Sequence, residues 1–335
     1  MENLNLSAET RPLRWGILST GTIADKFVSE AVGLDNHLVQ AVASRSIDKA
    51  RVFADKFGIA RAWGTYDELF NDPNVDVIYV GTPHVFHYEN TLAALNAGKS
   101  VLCEKPLTIN AFQARALFQA ARRNDVYLME ALWTFFLPAW KKVHEWLAQQ
   151  RIGKVRLIQA DFGFSTPFDP QSRLFDPKLG GGALLDLGVY ALSAAQRVVG
   201  SPPEELDARA RLAPTGVDAT TVMTAVYPGG ILAQLSCSVE QLTENTLVIY
   251  GEKGKILMPR FWMADEAVLQ SQTGDEFFHD DRKNLGYACE ALAVEADLAA
   301  ARKENPLISE AFSVALSETL DRVRKLTGVV YPGEK

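Results

Sequence analysis

Cysteine is scarce in this chain: Cys103, Cys237 and Cys289 are the only three in 335 residues, far apart and without a CxxC pair. An odd, scattered set excludes a disulfide framework and the paired spacing of a structural zinc site. It points instead to a reducing, cytoplasmic setting. Basic residues are also in the minority, 34 against 41 acidic ones, for a net charge of -7. Gripping a nucleic-acid backbone or an anionic membrane needs concentrated Lys and Arg, so neither is an expected partner. A single phosphate needs only a local basic pocket and stays possible. No apolar run approaches the ~20 residues that span a bilayer. Met1–Arg11 is polar and mixed in charge, without the apolar centre of a secretory signal. Internal repeats and low-complexity tracts are missing as well.

What is present suits a globular protein of two domains. The hydrophobic fraction, 47%, is ordinary for a folded globular protein, and 335 residues are too many for one ordinary core. Up to residue 132 short apolar runs alternate with helical patterns. The runs are Leu13–Ser19, Leu38–Ser44, Val75–Gly81, Ser100–Glu104 and Val126–Ala131; the helices include Tyr88–Ala97 and Ile109–Arg123, and Ser46 stands as an N-cap. Strands apolar on both faces between helices predict a parallel sheet covered on both sides. After Trp133 the texture changes. A helix over Ala139–Gln150 and an extended Val155–Phe164 lead to a proline-bearing loop and then a helix over Ala183–Val199. Short strands separated by turn signals fill Leu206 to His279, the pattern of an antiparallel sheet. Helices over Tyr287–Arg302 and Ser309–Leu326 end the chain. The expected class is α/β: a parallel-sheet domain over 1–132, and an α+β domain over 133–335 with a large, mostly antiparallel sheet.

The first strand-turn-helix reads Ser19-Thr20-Gly21-Thr22-Ile23-Ala24. A dinucleotide loop wants G-x-G-x-x-G/A there, so that backbone can approach a pyrophosphate at a helix N-terminus. Gly21 and Ala24 fit, and Ser19 replaces the first glycine. The second strand ends in Ser44-Arg45-Ser46. A carboxylate at that point would accept from a ribose 2′-hydroxyl, whereas Arg45 can pair with a 2′-phosphate, so NADP is expected rather than NAD. A solvated surface arginine is the alternative. Thr82-Pro83 and Glu104-Lys105-Pro106 follow two further strands, at the sheet edge where ligands bind. Lys105 would stand beside a nicotinamide with Glu104 holding it, or the two form an ordinary ion pair. His84 and His87 have no third ligand at a fitting spacing, so no metal is expected; His87 reads as a helix cap or a neighbour of the cofactor. Asp186 and Tyr190, four apart in a predicted helix, would share one face, and Gly180-Gly181-Gly182 would let that helix start close to a ligand.

Together these segments resemble the Gfo/Idh/MocA family of NAD(P)-dependent oxidoreductases, in the branch of dihydrodiol and D-xylose dehydrogenases. WGILSTGTIA at the start, AGKSVLCEKPL at 97–107, MEALWTFFLP at 129–138 and GGGALLDLGVY at 180–190 carry the likeness, with GVD at 216–218 and YPGG at 227–230. The resemblance implies a Rossmann domain and a second domain whose sheet forms a homodimer or higher homo-oligomer. It implies Lys105 as the catalytic lysine, with Tyr190 and Asp186 in the acid/base region. Arg45 would read the 2′-phosphate, and Trp133, Phe162 and Trp262 would line the substrate pocket. It further implies a cis Lys105–Pro106 bond.

The resulting expectation is hydride transfer between NADP and a sugar- or trans-dihydrodiol-like carbinol or carbonyl. An ammonium about 4 Å from the phenol is worth on the order of 4 kcal/mol at an effective dielectric of 20, enough to draw a tyrosine down from its ordinary value near 10. Asp186 would orient Lys105 or the substrate. Relatives read WTRFFP where this chain has Trp133-Thr134-Phe135-Phe136-Leu137-Pro138, and the loss of an arginine at Phe135 would favour a less polar substrate. Two other readings stay open: a sugar oxidoreductase with a tightly held cofactor, and an NADP-binding sensor without catalysis.

Overall fold

The computed structural model describes residues 11–334, so the polar segment over residues 1–10 lies outside it. Its first half is β1 (Leu13–Leu18), α1 (Thr22–Ala31), β2 (His37–Ala43), α2 (Ile47–Phe57), β3 (Arg61–Trp63), α3 (Tyr66–Phe70), β4 (Val77–Val80), α4 (His87–Asn96), β5 (Ser100–Glu104), α5 (Ala111–Arg123) and β6 (Leu128–Ala131). The six strands are parallel, in the order β3-β2-β1-β4-β5-β6. This is the doubly wound dinucleotide-binding order, whose strand direction of travel reverses beside β1. All residues of β4 and β6 are buried, because helices cover both faces. Helix α1 explains its own docking: Ala24, Phe27, Val28 and Ala31 recur at helical spacing and form its buried stripe.

Two elements were not visible in the sequence pattern, the three-residue β3 and the five-residue α3. Both are too short to show a period, although Thr65 and Glu68 form a capping box that marks the start of α3. Ser46 caps α2 as expected, accepting from Lys49 N.

The second half contains α6 (Pro138–Ala148), β7 (Val155–Gly163), α7 (Val189–Val199), β8 (Glu205–Leu212), β9 (Asp218–Tyr227), β10 (Ile231–Ser238), β11 (Thr246–Gly251), β12 (Gly254–Pro259), β13 (Glu266–Ser271), β14 (Glu276–His279), α8 (Tyr287–Ala299) and α9 (Glu310–Thr327). Its eight-stranded sheet runs β14-β13-β12-β11-β7-β10-β9-β8 and is antiparallel except where β10 lies parallel to β7. Strands β9 and β10 alternate buried and open residues, since α7 and α9 cover one face and leave the other free. The chain then returns to the first sheet. Glu30 of α1 accepts the amides of Leu285, Gly286 and Ala288 at the start of α8, and α9 packs on α5.

The predicted helix over Ala183–Val199 is not one regular α-helix. Leu184–Gly188 is a π-turn, and α7 proper begins at Val189. The simple four-residue spacing of Asp186 and Tyr190 therefore does not define their relation. The wider turn does.

Candidate active site

A cleft of about 520 Å³ opens between the carboxyl edge of the parallel sheet and the π-turn with α7. The β1–α1 turn forms its floor. Ser19 occupies a glycine position and takes a glycine backbone, with φ at 133°; a side chain in that region costs on the order of 1–3 kcal/mol. Its hydroxyl accepts from Gly21 N at 3.0 Å, closing the turn. No side chain caps α1 at Gly21, so the positive end of the helix faces the cleft with Thr22 and Ile23 beside it. That is a fitting seat for a pyrophosphate, and the cleft lining continues to Phe162 of β7 in the second sheet.

Thr82, Pro83, His87 and Glu104 also line the cleft. His87 is fully buried and does not cap its helix. Its two ring nitrogens face Pro106 O and Thr82 O, each at 2.8 Å, so it ties the end of β4 to the segment after β5. Burial pushes its pKa down to about 4. His84 turns its Nδ1 to Gly180 O at 2.9 Å, crossing to the other half of the chain. Among the described residues no group of three His, Cys, Asp or Glu gathers as a metal site. Ser44 and Arg45 do not line the cleft. They stand at the end of the next strand, Ser44 buried and Arg45 exposed, with the guanidinium 6.0 Å from the Phe86 ring.

Lys105 is joined to Pro106 by a cis peptide bond and points across the cleft. Its ammonium donates to the main-chain oxygen of Asp186 at 2.7 Å and lies 3.6 Å from the Asp186 carboxylate. The expectation that Glu104 holds the lysine is corrected by this contact. Glu104 instead accepts from Tyr79 OH at 2.6 Å and from the Lys105 amide, and burial raises its pKa.

The Lys105 ammonium lies 4.8 Å from the centre of the Tyr190 ring, over its face. The phenol oxygen accepts from the indole N–H of Trp133 at 2.9 Å. Burial, with Tyr287 and Glu104 nearby, raises the Tyr190 pKa well above its ordinary value, and the Trp133 bond opposes this. The expected descent of the phenol under Lys105 is not found, because the cation rests on the ring rather than beside the oxygen. Asp186 behaves differently. Burial works against its charge, but Lys105 and Arg173 outweigh that penalty and hold it well below the usual carboxylate range.

Phe162 and Trp262 stack at 3.8 Å and form the apolar end of the cleft, near Tyr190. Phe135 is elsewhere. It is 1% exposed and packs edge-on against Trp140 and Phe312, so its replacement of an arginine changes the core rather than the substrate wall. The triglycine also has a different use from the one expected. A side chain on Gly181 would meet Leu174 O at 2.8 Å, and one on Gly182 would run into Asp218 Oδ1. These glycines admit neighbouring protein segments, not a ligand.

Sequence reasoning missed Arg173 and Tyr287. Arg173 donates to both oxygens of Asp186, at 2.9 and 3.4 Å, from an irregular loop with no periodic signal. Tyr287 begins α8 and stacks at 4.6 Å on Trp133. A larger but shallower hollow, about 600 Å³, lies on the open face of the eight-stranded sheet and gathers no comparable group of titratable residues.

Residues 13–132 match an oxidoreductase family with an NAD-binding Rossmann fold, and residues 140–257 match the GFO/IDH/MocA C-terminal domain. The chain belongs to the Gfo/Idh/MocA oxidoreductase family. Within the family it is 40% identical to the trans-1,2-dihydrobenzene-1,2-diol dehydrogenase of Sus scrofa over 337 residues, covering 96% of this chain and 99% of that one. A 3-ketoreductase from Actinomadura kijaniata, solved with NADP and TDP-benzene, superposes with a TM-score of 0.86 at 28% identity, covering 95% and 98% of the two chains. An aldose-aldose oxidoreductase from Caulobacter crescentus shares the fold, with a TM-score of 0.87 at 22% identity over the same shares of the chains.

Proposed function

We propose that this oxidoreductase uses NADP to interconvert a carbinol and a carbonyl on a sugar or a trans-dihydrodiol. The observation that carries the reading is the meeting of Lys105, from the parallel sheet, with Asp186 and Tyr190, from the π-turn and α7, on one cleft wall. Residues 1–132 hold the cofactor in this reading, and 133–335 supply the substrate wall and self-association. Ser19, Gly21, Thr22 and Ile23 seat the pyrophosphate; Thr82, Pro83, His87, Glu104 and Lys105 border the nicotinamide end. Ser44 and Arg45 read the 2′-phosphate, and the exposed position of Arg45 suits that role. When bound, the dinucleotide supplies the hydride acceptor for oxidation and the donor for reduction.

The chain's own part is binding and proton handling. Asp186 stays ionised and orients Lys105. The Tyr190 phenol accepts from Trp133 and so keeps its own proton free to donate to a substrate oxygen. Lys105, over the face of that ring, is the group with access to the reacting hydroxyl. Phe162 and Trp262 present flat apolar faces, which suit the C–H face of a sugar or a cyclic diol.

Further support concerns assembly and setting. Val222 and Leu232 on the open sheet face are about half exposed, and we read that face as a homodimer contact. Three free cysteines fit a reducing cytoplasm, and among the described residues no helix is long and apolar enough to cross a membrane.

A panel of aldoses, trans-dihydrodiols and dicarbonyls assayed with NADP and NADPH tests the function. Free NADPH appearing in solution with one carbinol class is the expected result; a cofactor that stays bound while two sugars exchange oxidation states favours the tight-cofactor reading. No turnover with any member would sink the proposal. In the same assay Arg45→Ala is expected to raise the KM for NADP by about 10- to 100-fold, since a hydrogen bond to a charged group is worth about 1.5–3 kcal/mol. NAD should be almost unaffected. Equal losses with both cofactors would remove Arg45 from the 2′-phosphate site.

A further inference from the structure

Asp186 has two cationic partners, and they hold it in different ways. Arg173 places one guanidinium nitrogen on each carboxylate oxygen, at 2.9 and 3.4 Å. Lys105 stands 3.6 Å from Oδ1 and makes its short bond, 2.7 Å, to the neutral main-chain oxygen of the same residue. An ammonium beside an unoccupied carboxylate closes to about 2.7–2.9 Å. Here the forked guanidinium already fills that place.

We propose that Arg173 is a positioning residue, whose occupation of both Asp186 oxygens keeps the Lys105 ammonium out of a tight ion pair and free to meet the reacting substrate oxygen. The inference rests on the proposed role of Lys105 and adds a residue to it.

The loop is built to present this arginine. Gly182 N donates to Leu174 O at 2.9 Å, and Asp176 N to Ser172 O at the same distance, on either side of Arg173. Gly181 has no side chain, which lets the carbonyls of Arg173 and Leu174 lie against it. Phe175 is 2% exposed and anchors the segment. The Arg173 side chain is 58% exposed and that of Asp186 10%, so the guanidinium also covers the carboxylate on its solvent side. The other groups facing Asp186 cannot replace it. His84, from the turn after β4, is neutral, its pKa lowered by burial to about 3. Glu104, at the end of β5, and Tyr190, on the next turn, supply no cation.

Without Arg173 the carboxylate is left to Lys105 alone. The ammonium is then drawn toward Asp186, and the carboxylate, having lost one of the two cations that hold it low, takes up a proton more readily. The experiment compares the pH profiles of kcat and kcat/KM for wild type, Arg173→Gln and Arg173→Lys, with NADPH binding followed by fluorescence. Arg173→Gln is expected to lose roughly 10- to 100-fold in kcat and to move the acid limb of its profile up by about one pH unit. NADPH affinity should stay within about twofold of wild type. Arg173→Lys keeps the charge without the fork, so the limb should stay in place while kcat falls about 3- to 10-fold. An unmoved profile in Arg173→Gln, or matched losses of kcat and NADPH binding, would overturn the proposal in favour of a merely structural arginine. If Arg173→Gln does not fold, Arg173→Lys decides: a wild-type kcat there overturns the positioning role. A wild type that turns over nothing defeats the functional reading and this inference together; an active wild type with an indifferent Arg173 defeats this inference alone.

Discussion

Asp186 and Asp218 are both buried, at 7% and 0% exposure, yet their surroundings shift them in opposite directions. Asp186 faces the cleft and touches Lys105 and Arg173, which keep it ionised. Asp218 faces the packing behind the cleft. It accepts from Leu184 N and Thr221 Oγ1 on one oxygen and has no partner on the other. Burial dominates there and pushes its pKa up to about 7. Depth does not distinguish them. Two cations within reach do: one carboxyl pairs with a lysine at the cleft, while the other accepts from the first amide of the π-turn that carries Asp186.

The hardest way to break the contrast is to remove the lysine beside Asp186. Lys105→Met is expected to lower kcat by about 10³-fold or more, within the usual range for a lost acid/base group, while NADPH binding persists. A variant that keeps most of its rate would take the lysine out of the mechanism.

Asp218→Asn sharpens the other side. The folded chain keeps Asp218 protonated up to about pH 7, whereas an unfolded aspartate releases its proton near 3.8. The folded state therefore binds more protons between those values, and stability falls as pH rises through them. Between about pH 5 and 8 the loss attributable to this residue is roughly 3 kcal/mol. Urea unfolding at several pH values should show the variant with a flatter profile than wild type. Glu130, also pushed up by burial to about 7, leaves part of the slope in place. Identical slopes in the two proteins would mean that Asp218 is ionised when folded.

The smallest effect concerns the phenol beside Asp186. Trp133→Phe deletes the indole donor and leaves the aromatic packing on Tyr287. Turnover is expected to drop up to about tenfold, the worth of one hydrogen bond near 0.5–1.5 kcal/mol. No change in kcat or KM would mean that the phenol needs no orienting partner.

Much of this arrangement was legible beforehand. The parallel sheet followed from apolar runs alternating with helices, and the tight strand-to-helix turn from Gly21 and Ala24 after β1. Ser19 was recognisable as the irregular member of that turn, and its φ of 133° accounts for the irregularity. Lys105 was marked by its place at a strand's carboxyl edge. Other features had no local signal. Arg173 lies in a loop without periodicity, and β3 and α3 are too short to have any. The π-turn at Leu184–Gly188 has the same apolar pattern as an ordinary helix, so the phase between Asp186 and Tyr190 could not be read from their spacing.

By itself, then, the sequence determined the layered α/β fold, the glycine turn after β1 and the identity of the polar residues at strand ends, because all of these depend on local periodicity and backbone preference. The tertiary structure alone decided that Lys105 sits over the Tyr190 ring and beside Asp186, that Arg173 completes the pair, and that Phe135 belongs to the core. Those outcomes depend on distances between segments far apart in the chain, and electrostatic energy varies with distance and burial rather than with order along the sequence.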